Sequence, residues 1–137
     1  MIIMTLDEFF GHYVVGGDGP NGGWALFRTR QLREPGVTLA EHHGYTIATC
    51  SEPGAVVTTT GGGSIIGALT RDSLWIDAPY RGQGLSVEMY VQRWLLVGRD
   101  QWIADRPKKM VVTPAGYAAR VAGYRALVAR GHISAGQ

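Results

Sequence analysis

The chain has 137 residues, 45% of them hydrophobic, a formal net charge of +2 and one cysteine, Cys50. That length suits a single domain spanning 1–137; the lone cysteine excludes an internal disulfide, and no run approaches the ~18 apolar residues of a membrane span. The slight basic balance is compatible with an anionic ligand and too weak to argue for nucleic acid.

Met1-Ile2-Ile3-Met4 is apolar, but no basic region precedes it and Asp7 and Glu8 follow, so it does not read as a signal peptide; the expected location is cytoplasmic. Thr5 predicts a helix start, with Glu8 three residues on completing a capping box. Residues 16–23 hold five glycines and one proline, which predicts a loop. Asn21 then caps a helix through Trp24, Phe27 and Gln31, ended by Pro35-Gly36. The β-branched runs 45–50 and 55–60 flank Ser51-Glu52-Pro53-Gly54, the pattern of a hairpin. Gly61-Gly62-Gly63 is a second turn and 64–70 the next strand. Arg71-Asp72 turns the chain into a strand at 73–78. Val87, Tyr90, Val91, Trp94, Leu95 and Val97 recur at helical spacing over 86–100. Residues 109–113 form a short buried strand. Pro114 opens a last helix at its favoured first turn, with Val121, Tyr124, Leu127 and Val128 as its apolar face and Gly131 as its stop. Cys50 reads as a small buried hydrophobe.

The most informative stretch joins the strand at 73–78 to the helix after it. Ala78-Pro79 breaks the alternation, and Arg81-Gly82-Gln83-Gly84 leads straight into helical spacing. A glycine turn at a helix start presents bare backbone N–H groups to an anion, glycine lets the backbone approach closely, and Arg81 adds a phosphate-matching fork. Arg81, Gly84 and Ser86, preceded by Leu74-Trp75-Ile76-Asp77-Ala78-Pro79-Tyr80, resemble the acyl-coenzyme A pyrophosphate loop of the GNAT acyltransferases, with serine where the family prefers Gly or Ala. The resemblance extends over about 55–133. Ser64 to Leu69, with Gly67 at its middle, looks like a core strand of the family, and Tyr124 to His132 like its last helix.

The resemblance implies a GNAT-like α/β (α+β) fold, a mixed, mostly antiparallel central sheet flanked by helices, with the C-terminal strand pair truncated. It implies an N-acyltransferase that moves an acetyl or short acyl group from acyl-coenzyme A directly to a small-molecule or protein amine. Backbone groups of Leu74, Trp75 and Ile76 would hold the pantetheine and thioester, and Gly82, Gln83, Gly84, Leu85, Ser86 and Val87 the pyrophosphate, beside Arg81. The family's general-acid tyrosine falls on Leu127; Tyr124, one turn earlier, is the candidate that remains, with ring packing as its other reading. Asp72, near the start of the motif strand, is a candidate base and equally a turn residue. Because only 132–137 follow the last helix, the flank of strand 109–113 is expected to lie exposed, which predicts a homodimer. His42 and His43, read as extended, point to opposite sides and do not suggest a metal site. Arg106, Lys108 and Lys109 form a basic cluster within reach of an acidic acceptor or a coenzyme phosphate. The alternative is a GNAT-like module with altered or lost chemistry: a binding or structural protein, or a transferase that uses another donor on nucleic acid.

Overall fold

The computed structural model describes residues 1–15, 35–71, 73–106 and 110–136. The glycine-rich loop and the helix expected within 16–34, Asp72, Lys108 and Lys109 lie outside the described residues.

The chain is a mixed α/β protein built on a five-stranded antiparallel sheet of β3 (Thr38–His42), β4 (Tyr45–Thr49), β5 (Val56–Thr59), β6 (Ile65–Leu69) and β7 (Leu74–Ile76), paired in chain order. Successive strands are neighbours because each link is a short turn, as the Gly and Pro clusters at 51–54 and 61–63 dictate. Alternation gives the sheet two faces. Ala48, Val57, Ala68 and Trp75 are cross-strand partners in one row on the face turned away from the main core, where they form a small buried cluster. Ile47, Val56, Leu69, Leu74 and Ile76 face the main core.

The main core lies beneath α2 (Leu85–Asp105) and α3 (Pro114–Ala129), with the short α1 (Leu6–Phe10) wedged against both. The capping box at Thr5 and Glu8 is present in both directions. The last helix begins at Pro114 with Thr113 as N-cap, its side chain accepting from the Gly116 N–H at 3.0 Å. The α2 and α3 helices approach closely: a Cβ on Gly123 would lie 2.5 Å from the Tyr90 Cβ. Five residues of α1 are too few to hold a helix alone, and its end is pinned from outside. The Phe9 carbonyl accepts from Trp102 Nε1 at 3.0 Å and Arg120 Nη2 at 2.9 Å, and the Glu8 carbonyl accepts from Arg106. Arg120 is 6% exposed, its guanidinium 5.2–5.7 Å from the ring centres of Phe9, Phe10, Tyr90 and Trp102. The ring faces supply the negative potential that water supplied before burial.

Several features differ from the sequence expectation. First, α2 runs to Asp105 and is bent. Gly98 has φ 81° and ψ 167°, a region essentially confined to glycine. Arg93 and Asp105 would sit ~18 Å apart along a straight helix, yet they form a 2.9 Å ion pair across the elbow. Second, Leu95, assigned to the apolar stripe, is 44% exposed. Third, the flank of β8 (Met110–Val112) is not bare: β2 (Tyr13–Val15) pairs with it in parallel, Val14 opposite Val111. The chain's own N-terminal region thus covers one edge of β8, and the other edge faces no strand among the described residues. Likewise β9 (Ile133–Ser134) pairs in parallel with β1 (Ile2–Ile3). Fourth, His42 and His43 are not on opposite sides of an extended chain. His43 turns with φ 48°, and the two rings meet edge to face at 4.3 Å. Arg106, counted in a basic cluster, is spent on the Glu8 and Ile103 carbonyls.

Candidate functional site

At its last strand the sheet runs out of neighbours and the chain turns into α2. The Thr70 N–H donates to the Ser73 carbonyl and the Asp77 N–H to the Ile66 carbonyl, at 2.9 and 2.8 Å, with Trp75 opposite Ala68 between them. In an antiparallel ladder this alternation turns the backbone groups of Ser73, Trp75 and Asp77 toward β6 and those of Leu74 and Ile76 to the opposite edge. β7 ends the strand order, so that edge faces no strand among the described residues. The outward backbone role expected of three residues therefore falls to Leu74 and Ile76. Trp75 contributes its indole instead, Nε1 donating to Asp77 at 3.0 Å, with the Arg81 guanidinium 5.2 Å from the ring centre.

Beyond β7, Ala78–Tyr80 forms one 3₁₀ turn. Arg81 folds back and donates Nε to the outward-facing Ile76 carbonyl at 2.7 Å. Gly82 and Gly84 then take φ +81° and +76°, left-handed conformations that any other residue would hold with strain. A Cβ at Gly82 would meet nothing within 4 Å, so the turn opens to solvent there. Gly84 is the N-cap of α2 and brings no side-chain cap. The Glu88 N–H bonds the Gly84 carbonyl at 3.3 Å, which leaves the N–H groups of Leu85, Ser86 and Val87 without acceptors inside the helix. Ser86 does not cap the helix start. The geometry suits an oxyanion: backbone donors at the positive end of the helix dipole and no side chain at Gly82 or Gly84, while the Arg81 guanidinium lies back over β7.

The β3–β4 hairpin supplies the wall of this turn, which sequence reasoning missed. His42 Nε2 donates to the Gln83 carbonyl at 3.0 Å, and a Cβ on Gly84 would lie 3.5 Å from the same nitrogen. Tyr45 meets Tyr80 edge to face at 6.0 Å. Gln83 braces the turn, Nε2 donating to the Tyr80 carbonyl at 3.2 Å. The adjacent histidines were visible in sequence; what aims one of them at the turn is pairing 41 residues away.

The structure does not bring the two candidate catalytic residues to this turn. Asp72 is outside the described residues. Tyr124 is 7% exposed, and its hydroxyl donates to the Met4 and Ala135 carbonyls at 2.7 and 3.2 Å. Its ring packs 5.5 Å from Phe9, and desolvation raises its phenol above the ordinary range. Leu127 is fully buried. Cys50 is half-buried just past β4, its thiol also pushed up by desolvation. His132 is half-buried, as a packing residue would be. Among the described residues no three His, Cys, Asp or Glu side chains gather as metal ligands would, and no helix is long and apolar enough to cross a membrane. No family model, curated protein or solved structure matches this chain.

Proposed function

We propose that the chain binds acyl-coenzyme A and transfers its acyl group to an amine, as a short, divergent relative of the GNAT acyltransferases. The observation that carries this reading is a continuity of backbone. The unpartnered edge of β7, with the polar groups of Leu74 and Ile76 facing out, runs through Arg81 into a left-handed glycine turn and the uncapped start of α2. An extended amide-bearing arm needs a strand edge to bond, and a pyrophosphate needs bare N–H groups with a cation nearby.

Acyl-coenzyme A supplies the acyl group as a thioester: the amine nitrogen bonds the carbonyl carbon, the carbon–sulfur bond breaks, and the amine's proton ends on the thiol. The residues of this chain bind and orient. Leu85, Ser86 and Val87 offer N–H groups to phosphate, Gly82 and Gly84 keep the approach clear, and Arg81 adds charge. The outward N–H groups of Leu74 and Ile76 are aimed where negative charge develops on the carbonyl oxygen.

The experiment is thermal unfolding with coenzyme A. At about a hundredfold over its dissociation constant it stabilises by roughly 2.7 kcal/mol, several degrees at this length. Gly84→Glu, which sets a carboxylate beside His42 where the pyrophosphate belongs, removes the shift. A folded Gly84→Glu protein that still binds normally, or no shift at millimolar coenzyme, refutes the assignment. A second reading, a GNAT-like module that binds without transferring, is favoured by one observation: the Tyr124 hydroxyl is committed to the Met4 and Ala135 carbonyls. Thiol release with a panel of amines separates the two.

A further inference from the structure

Within the glycine turn, the peptide between Gln83 and Gly84 decides what an anion meets. Gly84 has φ +76°, and glycine populates either sign of φ about equally, so it offers little steric resistance to that peptide plane rotating by half a turn. The two orientations differ in the group they present. In a trans peptide the C=O and the following N–H point in opposite directions. One orientation offers the Gly84 N–H to an anion; the other offers the Gln83 carbonyl, which repels it.

His42 selects between them. Its Nε2 lies 3.0 Å from the Gln83 carbonyl oxygen, and a carbonyl only accepts, so Nε2 carries the hydrogen. The carbonyl is held toward the hairpin, and the Gly84 N–H is thereby turned away from it. That N–H has no backbone acceptor among the described residues. The imidazole is itself fixed. His42 ends β3 opposite Tyr45, and the two residues between them, His43 and Gly44, have φ 48° and 86°, the positive pair of a tight two-residue hairpin. The His43 ring braces that of His42 at 4.3 Å, and Tyr45 meets Tyr80 at 6.0 Å. The hairpin therefore grips the turn at two points, Tyr80 before the glycines and Gln83 between them.

We propose that His42 is a positioning residue for the coenzyme. Its hydrogen bond latches the Gln83–Gly84 peptide, so that the Gly84 N–H joins those of Leu85, Ser86 and Val87 as a fourth donor to the pyrophosphate. The inference rests on the acyl-coenzyme A reading of this turn and adds to it a residue 41 positions away in the chain. What the latch requires is a donor, not a charge.

The test compares the full chain with His42→Gln and His42→Ala at pH 8, where histidine side chains are ordinarily neutral, so that a lost charge is not what is read. Glutamine keeps an N–H donor at similar reach, and alanine has none. Two quantities are measured: the dissociation constant for coenzyme A by calorimetry, and the Gly84 N–H residual dipolar coupling in the ligand-free protein by NMR. His42 is half-buried near the end of a hairpin, and unchanged couplings in α2 and the sheet verify that each variant is folded. His42→Ala weakens coenzyme binding by about three- to tenfold, the range of one hydrogen bond, and moves the Gly84 coupling; His42→Gln restores both. An unmoved Gly84 coupling in His42→Ala, coenzyme binding by that variant within about twofold of wild type, or a glutamine variant that behaves as the alanine one overturns the inference. Normal coenzyme binding by His42→Ala leaves the acyl-coenzyme A reading standing and removes the latch. A wild-type protein that ignores millimolar coenzyme A overturns that reading, while a Gly84 coupling lost in alanine and restored in glutamine still establishes the latch.

Discussion

Replacing Tyr124 by phenylalanine separates a structural tyrosine from a catalytic one, and the structure sets the size of the effect. The ring stays, so packing against Phe9 at 5.5 Å is kept. What goes is one hydroxyl donating to two carbonyls, 2.7 Å to Met4 and 3.2 Å to Ala135. Met4 is fully buried, so water does not readily replace the lost donor. Leaving a buried acceptor unsatisfied costs about 1–3 kcal/mol. For a chain of 137 residues, each kcal/mol moves Tm by roughly 3–4 °C, so Tm falls by roughly 3–12 °C. The assay pairs calorimetry with thiol release at a temperature where both proteins are folded. On the acyl-transfer proposal, turnover by the folded fraction stays within about threefold, because the hydroxyl is turned into the core. A general acid, by contrast, contributes a hundredfold or more. An unmoved Tm means that the two hydrogen bonds contribute nothing. A hundredfold loss of turnover at unchanged stability means that Tyr124 protonates the leaving thiol.

Gly123→Ala sets a Cβ 2.5 Å from the Tyr90 Cβ, an atom anchored to backbone that does not swing aside. Alanine's better helix propensity recovers about 1 kcal/mol, overpacking costs about 1–3 kcal/mol, and the clash is at the severe end, so denaturant titration gives a net loss of about 2 kcal/mol; equal or greater stability refutes the close approach of α2 and α3. Glu8 has its carboxyl held below the usual range, first by the Thr5 backbone N–H and then by Arg99 at 2.8 Å. A depressed folded pKa contributes stability present above the unfolded pKa and lost as pH falls through the folded one. The Tm gap between wild type and Glu8→Gln therefore narrows from neutral pH to about pH 3, and a gap independent of pH contradicts the pairing.

What the sequence determined by itself was local. The Thr5–Glu8 capping box, the turns at 51–54 and 61–63, the strands between them, and the last helix from Pro114 to the glycine stop depend on residues within a few positions of one another. So does the candidate anion turn, since two left-handed glycines before a helix are a matter of adjacent dihedral angles. Tertiary structure decided the rest. A strand of three residues such as β2 carries almost no periodic signal, and although 109–113 reads as a strand along the chain its partner does not: β2 and β8 pair because Tyr13 and Met110, nearly a hundred residues apart, find each other. Nothing along the chain marks Arg93 and Arg120 for burial, which the Asp105 carboxylate and the Trp102 ring support for the first and a cage of four rings and the Phe9 carbonyl for the second. His42 reaches Gln83 because a hairpin brings distant residues together. Backbone preference acts between neighbours and is legible along the chain. Burial, pairing and enclosure act between segments, and they acquire a value only once the chain has closed on itself.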